Sequence, residues 1–216
     1  MATAGAVLSA AAPAVAEPSP AAPAPVAHDE IEAKYRSWGG ADSPLGHPVG
    51  AAYPVGTGAG RDYTGGAIYY SPGTGAHVMY GLILERYREL GGPAGALGFP
   101  TTDEEEALGG SDRFSDFSAA DGATVYWAPA AGAWLIRGPI LDAWNHLGGA
   151  EGPMGHPVAA EVEADGGRVA RFSGADGTAQ LSWRAGGGYG VVPTELSGRL
   201  RGLAVTAGVV TRAPAR

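Results

Sequence analysis

Residues 83–100 read ILERYRELGGPAGALGFP, and the pattern in this stretch predicts the fold of the chain. Ile83, Tyr87 and Leu90 have the spacing of residues on one face of a helix. Gly91 follows where helices commonly stop in the left-handed conformation. The LGFP string at the end predicts a turn, because glycine adopts unusual backbone angles and proline keeps the preceding residue extended.

The same pattern occurs three times along the chain. The helix signature, Ile-x3-aromatic-x2-(Trp or Leu)-Gly-Gly, begins at Ile31, Ile83 and Ile140. The turn signature follows at a fixed spacing, as PLGHP at 44–48, ALGFP at 96–100 and PMGHP at 153–157. Paired strand signatures then predict a β-hairpin after a long loop, as in IYYSP followed by GAHVMYG. The third copy is degenerate at its end, where the closing glycine is lost.

This recurrence predicts an α+β repeat protein of three units, each with a short helix, an LGxP turn and a β-hairpin. A helix of about ten residues is too short to be stable alone, so its apolar stripe must be buried against neighbours. The predicted units are residues 29–81, 82–138 and 139–193.

The two ends of the chain have a different character. Residues 1–16 are similar to the apolar core and cleavage site of a secretory signal peptide, without a preceding positive charge. Residues 17–28 are rich in proline and alanine, which predicts an extended spacer. The tail, 194–216, carries four arginines and no acid after Ser197. It is interpreted either as an electrostatic contact for an anionic polymer or as a frayed terminus.

The composition excludes several classes of protein. Cysteine is absent, which excludes disulfides, thiolate catalysis and cysteine-based metal sites. A net charge of −8 argues against nucleic acid as a partner. No apolar run is long enough for a transmembrane segment. The 37 Gly and 17 Pro favour disorder, but nine Tyr, five Trp and four Phe predict a compact fold.

No motif in the sequence predicts catalysis. The chain lacks a G-x-S-x-G elbow, a P-loop, an H-E-x-x-H helix and a G-x-G-x-x-G after a strand. His47 and His156 take the repeat position of Phe99, which favours packing against a turn over metal binding. The acidic run 103–106 lacks EF-hand spacing and is expected to be a solvated loop. We therefore expect no enzyme activity, metal or cofactor.

Flat aromatic side chains are the candidates for ligand binding, because they cover the apolar side of a sugar ring. The predicted contact residues are Tyr69, Tyr126, Trp127, Trp134 and Trp183. Some of these must be core, since they alternate with apolar strand residues. Trp134 is singled out because its equivalents are His77 and Gly190, so the scaffold requires no aromatic there. The aromatics of the helix stripes are expected in the core: Tyr35, Tyr87 and Trp144.

Residues 29–193 resemble LGFP repeats, on the strings LGHP, ALGFP-TTDEEE, IYYSPGTGAHVMYG and VYWAPAAGAWLIRG. That family is typical of actinobacterial surface proteins. Its repeats accompany cell-wall enzymes such as mycolyltransferases and amidases or occur alone, and they can close into a pseudo-symmetric ring. For the three units of this chain, the resemblance implies a propeller-like ring or an open array. The resemblance implies a secreted, non-catalytic, cell-wall-associated module that binds envelope polysaccharide such as arabinogalactan or peptidoglycan.

Two other functions stay open at this point. The repeats could form a protein-binding or assembly module that recruits a cell-wall enzyme or another copy of the chain as a homo-oligomer. The chain could also be a cell-wall hydrolase, or an accessory to a hydrolase or mycolyltransferase.

Overall fold

Three helices alternate along the chain with three antiparallel sheets. The computed structural model describes residues 25–107, 110–164, 166–175 and 177–193. The helices are α1 (Pro25–Ser37), α2 (Gly81–Glu89) and α3 (Gly138–His146). Each helix is followed by a left-handed glycine and a short 3-10 turn, at Gly39, Gly91 and Gly148. The predicted glycine stops are therefore confirmed.

The sheets are built from strands that are mostly neighbours in sequence. The first sheet has the order β1 (Pro48–Val55), β2 (Gly58–Tyr63), β3 (Gly66–Ser71), β4 (Gly75–Tyr80). The second has the order β5 (Glu105–Glu106), β6 (Arg113–Phe117), β7 (Ala123–Ala128), β8 (Gly132–Arg137). The third joins β9 (His156–Pro157), β10 (Val162–Ala164), β11 (Gly167–Gly174), β12 (Gly177–Arg184) and β13 (Gly188–Pro193), with β9 paired to β11.

The predicted hairpins are present as β3–β4, β7–β8 and β12–β13, but the long loop expected before each of them is wrong. Further strands occupy that segment, as β1 and β2 do in the first sheet. In β2, a β-carbon at Gly60 would lie 2.9 Å from the Tyr53 ring. Because the ring crosses the strand there, the strand uses glycine in place of the β-branched residues by which strands are recognised.

The helices and sheets form a stack held together by three apolar clusters, one at each helix. Ile31 of α1 is buried in a cluster with residues of the first sheet. Tyr87 of α2 belongs to a cluster drawn from both the first and second sheets. Trp144 of α3 lies in a cluster with residues of the second and third sheets. Within the described residues the stack does not close, so the propeller-like ring is not seen there.

The first helix begins earlier than the sequence predicts. Residues 25–28 of the expected spacer belong to α1. Pro25 stands at the helix start, where its missing N–H costs nothing, and Ala27 is buried against the first sheet. The leader 1–16, the rest of the spacer and the tail 194–216 lie outside the described residues. None of the described helices is long and apolar enough to cross a bilayer.

Candidate functional site

A cleft of about 410 Å³ lies where the second sheet meets α3. We call it the α3 cleft. Its floor consists of Tyr126 from β7 and Trp144 from α3, whose rings meet edge to face with centroids 5.5 Å apart. Phe114 of β6 also lines the cleft and is only half-buried. The α3 cleft therefore combines an apolar floor with one accessible aromatic ring.

The rim of the α3 cleft is acidic. Its carboxylates are Glu105, Glu106, Asp116 and Glu151. No lysine, arginine or histidine is among the described residues that line it. The Asn145 amide, exposed on the last turn of α3, is the remaining polar side chain at the rim. The cleft thus offers acceptor oxygens, and one amide, to hydroxyl or amino groups.

Asp116 is the most enclosed of these carboxylates. The Thr124 hydroxyl donates a hydrogen bond to its Oδ1, and the Asp116 backbone N–H donates to Thr102 Oγ1 at 3.1 Å. Burial raises the pKa of Asp116, and the hydrogen bond from Thr124 opposes that rise. A hydrogen-bond donor or a positive charge from a ligand would stabilise the ionised form of this buried carboxylate.

The floor of the α3 cleft is held by Tyr126. Its hydroxyl donates to Asp112 Oδ2 at 3.0 Å, and the Nδ1 of His156 lies 3.6 Å from the same oxygen. Burial raises the pKa of Tyr126, and the charge of Asp112 adds to the rise, so the phenol stays protonated at neutral pH. The hydroxyl oxygen keeps its capacity to accept a further hydrogen bond.

The corresponding space between the first sheet and α2 is occupied. There Asp62 Oδ1 accepts a hydrogen bond from the Tyr53 hydroxyl at 3.1 Å and from Arg88 Nη2 at 2.5 Å. Arg88 Nε also donates to the Tyr69 hydroxyl at 3.1 Å. The side chains of this chain therefore satisfy the carboxylate and the tyrosine at the first junction.

The predicted contact aromatics do not come together in the structure. Tyr69 is 2% exposed beneath α2 and offers no face to a ligand, so its assignment as a contact residue is corrected to core. Tyr126 is 3% exposed and reaches the α3 cleft only as part of its floor. Both tyrosines face a helix that follows them in the chain, which the alternation within their strands does not reveal.

Trp134 has a structural role that the sequence analysis did not foresee. Its Nε1 donates to the carbonyl oxygen of Ala131 in the hairpin turn at 2.7 Å. His77, at the same repeat position, places its Nε2 2.8 Å from the carbonyl oxygen of Thr74. The scaffold therefore uses a ring nitrogen at both positions. The Trp134 ring is half-buried, and the Arg86 guanidinium lies 5.7 Å from its centroid.

The two remaining tryptophans are partly covered. Trp127 packs against the core cluster around α2. Trp183 packs against the cluster around α3 and lines a shallow depression with Glu163 and Arg168. Each keeps part of its surface accessible, but they lie on different sheets.

Sequence reasoning missed three residues that line the α3 cleft, namely Phe114, Asn145 and, as a lining residue, Trp144. The available signal was a departure from the repeat. Asn145 stands where Arg88 stands in the second copy of the helix, and Glu105 stands where Tyr53 follows the first turn. Both replacements open the space that is filled at the first junction.

The acidic run 103–106 is only partly a solvated loop. Lys34 Nζ donates to Asp103 Oδ2 at 2.6 Å, and the backbone N–H of Val78 donates to Asp103 Oδ1 at 2.9 Å. Burial opposes ionisation of Asp103, but the neighbouring His77, Lys34 and Val78 N–H outweigh it and lower its pKa to about 2. Asp103 therefore joins the first sheet to the segment that precedes the second.

Glu104 also connects the first sheet to the segment that precedes the second sheet. Its Oε2 accepts from the backbone N–H of Tyr80 at 3.4 Å, and Arg113 Nε lies 4.0 Å from Oε1. Burial raises the pKa of Glu104 to about 7, although the hydrogen bond from Tyr80 and the charge of Arg113 both act to lower it. Glu161 repeats the arrangement by accepting from the backbone N–H of Arg137 at 2.7 Å. Only Glu105 and Glu106 of the acidic run are exposed.

The histidines at the LGxP turns have distinct surroundings. Phe99 is buried on the preceding sheet, where a β-carbon at Gly58 would lie 2.9 Å from its ring. His156 lies beside Asp112, which takes the place of Gly58 in the second sheet. Phe99 is therefore in the core, His156 is half-buried beside a carboxylate, and His47 is exposed. In the described ranges, no three acidic or histidine side chains converge on a metal site.

A model of the LGFP repeat family matches residues 45–95 and 97–152. Each match begins at the leucine of an LGxP turn and runs through a sheet to the 3-10 turn after the next helix. The family model therefore divides the chain at a different point of the same recurring order. No curated protein shows significant similarity to the chain.

Proposed function

Because the chain belongs to the LGFP repeat family, we propose that it is a secreted, non-catalytic module that binds polysaccharide of the cell envelope, arabinogalactan or peptidoglycan. LGFP repeats are associated with cell surfaces in general, which supports this location. The observation that carries the proposal is the α3 cleft, with its aromatic floor, its accessible Phe114 ring and its ring of acceptor oxygens.

The chemistry of the α3 cleft suits a sugar ring. The apolar face of a pyranose or furanose would lie against Phe114. Its hydroxyl groups would donate to Asp116 and Glu105, and the Asn145 amide would both donate and accept. The volume of about 410 Å³ falls within the range of small-ligand pockets. One or two sugar residues of a longer chain would occupy it.

We also propose that residues 139–193 form a third unit of the same kind, most of which lies beyond the two matched segments. Met154 is buried at the position of Leu45 and Leu97. Gly155 has a φ of 67°, close to the 68° of Gly98. Several units on one chain would give repeated weak contacts with a polymer, and hence avidity.

The proposal is tested by co-sedimentation of the protein with purified arabinogalactan and with purified peptidoglycan at low ionic strength. Two variants locate the contact, Phe114→Ala in the α3 cleft and Trp134→Ala at the hairpin turn outside it. We expect the parent to sediment with one of the polymers and Phe114→Ala to lose most of the binding while Trp134→Ala retains it.

Thermal unfolding of each variant distinguishes lost contact from lost fold. Loss of binding in Trp134→Ala alone, with both variants folded, would move the contact to the hairpin turn and overturn the assignment to the cleft. Failure of the folded parent to sediment with either polymer would overturn the function itself.

A further inference from the structure

We propose that the α3 cleft recognises a positively charged amino group on a sugar of its ligand, held between the Asp116 carboxylate and the Tyr126 hydroxyl. This inference rests on the proposed function and narrows it to amine-bearing saccharides. The evidence for it is the first junction, where the equivalent carboxylate and the equivalent tyrosine are both bound by a cationic side chain.

The α3 cleft is the second junction, between the second sheet and α3, and its equivalence to the first junction, between the first sheet and α2, follows from strand register. Asp62 pairs with Ala67, and Asp116 pairs with Thr124. Each of these partners directly precedes the strand signature, which continues with Tyr69 in the first sheet and Tyr126 in the second. The carboxylate and the phenol therefore belong to neighbouring strands, β2 and β3 or β6 and β7, at matching positions.

The first junction shows which chemical group this pair takes. The Arg88 guanidinium donates to Asp62 at 2.5 Å through Nη2 and to the Tyr69 hydroxyl at 3.1 Å through Nε. The cation comes from α2, at the residue after the buried Tyr87. At the second junction the residue after the buried Trp144 is Asn145, whose side chain is shorter and uncharged. The pair is retained there, and its cation is replaced by a neutral residue.

The second junction is also open where the first is closed. Tyr53, which donates to Asp62 at the first junction, corresponds to Glu105 at the α3 cleft. The exchange removes an aromatic ring and adds a negative charge. With four carboxylates and no cation among its described lining residues, the cleft has a local negative potential that attracts a cation. A neutral ligand would leave that charge uncompensated.

An ammonium group on a sugar satisfies both sets of contacts. The ammonium has three donors, which suffice for the Asp116 carboxylate and the Tyr126 hydroxyl oxygen. The sugar ring that carries it would then lie toward Phe114 and the exposed carboxylates at the rim. An N-acetylated amino sugar has lost the charge and is bulkier at the nitrogen, so it would bind more weakly.

The test compares two probes that differ only at the nitrogen, a glucosamine tetramer and the N-acetylglucosamine tetramer. Each is titrated into the protein by calorimetry at about pH 5.5 and low salt, where the amine is charged. We expect the parent to bind the glucosamine tetramer at least tenfold more tightly than the acetylated one. Asn145→Arg introduces the residue type that the first junction has at the equivalent position, and we expect this variant to lose the tenfold preference.

Asn145→Arg also has a readout that does not depend on a ligand. The new guanidinium should reach Asp116 and the Tyr126 hydroxyl, so we expect the variant to unfold at a higher temperature than the parent. Ala94→Arg adds the same charge at an exposed site on the first junction's 3-10 turn. It should leave both the binding preference and the unfolding temperature near the parent values.

Three results would overturn the inference. The first is equal binding of the two tetramers by the parent, and the second is an undiminished preference in Asn145→Arg. The third is binding of neither tetramer. The proposed function is judged separately by sedimentation with the wall polymers, so a protein that sediments with them but shows any of these results keeps its function and loses its amine site.

Discussion

The hydroxyl of Tyr87 donates a hydrogen bond to the carbonyl oxygen of Gly98, 2.6 Å away and 11 residues further along the chain. An aromatic residue of each of the other two helices makes the equivalent hydrogen bond, again to a glycine 11 residues later. Tyr35 donates to Gly46 at 2.7 Å, and the indole of Trp144 donates to Gly155 at 2.8 Å. The helix aromatic thus fixes the glycine of the LGxP turn, which explains why helix and turn keep one spacing throughout.

Tyr87→Phe is expected to destabilise the protein by about 1–3 kcal/mol, because it removes the hydroxyl of a buried side chain and leaves the Gly98 carbonyl without its donor. Urea unfolding followed by tryptophan fluorescence measures the change. Tyr70→Phe is the matched control, since the half-buried Tyr70 hydroxyl has no hydrogen bond to the described residues. Equal losses in the two variants would contradict the role of the bond.

Gly98→Ala is expected to cost about 2 kcal/mol or more. Gly98 has a φ of +68°, which disfavours any residue with a β-carbon. That β-carbon would also lie 2.5 Å from Ser118 Oγ, which accepts the hydrogen bond of the next backbone N–H. In the control Gly73→Ala, φ is not positive and the nearest atom is 4.0 Å away, so stability should change little. Similar losses in both variants would refute the argument.

The helices, their glycine stops and the final hairpins could be predicted because each has a local signal in the sequence. The earlier strands could not, because their recognition depends on tertiary pairs. Position 60 has no side chain because the Tyr53 ring crosses the strand there, and the absence of a side chain at Gly58 leaves room for the Phe99 ring. The α3 cleft was hidden for a similar reason, since it arises from differences between copies, at residues such as Asn145, that matter only once the sheets and helices are stacked.

Glu104 gives the protein a pH dependence of defined sign. Its folded-state pKa is raised to about 7, so the folded protein binds the proton more tightly than the unfolded chain. Its contribution to stability is therefore full below the unfolded pKa of about 4.5 and is lost as pH rises to about 7. Asp103, with its pKa lowered to about 2, acts in the opposite direction and loses its contribution below about pH 4.

Glu104→Gln is expected to remove the decline between pH 4.5 and 7, because the amide oxygen keeps the acceptor for the Tyr80 N–H without the charge. At pH 8 the variant should exceed the parent in stability by about 1–3 kcal/mol. The check is a series of urea unfolding curves from pH 4 to pH 8. Glu106→Gln, at an exposed carboxylate of the same segment, should follow the parent curve. A variant that retains the parent's decline would show that another group causes it.

The first helix differs from the second at one position beside the buried isoleucine. Ile31 of α1 and Ile83 of α2 are equivalent and both are buried. The next residue is Leu84 in α2, which is 5% exposed in the core between two sheets. In α1 it is Glu32, partly exposed and hydrogen-bonded by Arg61. The side chain at this position therefore meets a charged residue of β2 in α1, whereas in α2 it lies in the apolar core.

Exchanging the two residue types should therefore have unequal costs in stability at the two equivalent positions. Glu32→Leu breaks one ion pair near the surface and is expected to cost about 1 kcal/mol or less. Leu84→Glu places a carboxylate between two sheets and is expected to cost more than about 3 kcal/mol, or to prevent folding. Urea unfolding compares them, with Leu82→Glu on the exposed side of α2 as the control. A loss in Glu32→Leu as large as that in Leu84→Glu would contradict the argument, because it would mean that the ion pair with Arg61 matters as much as burial in the core.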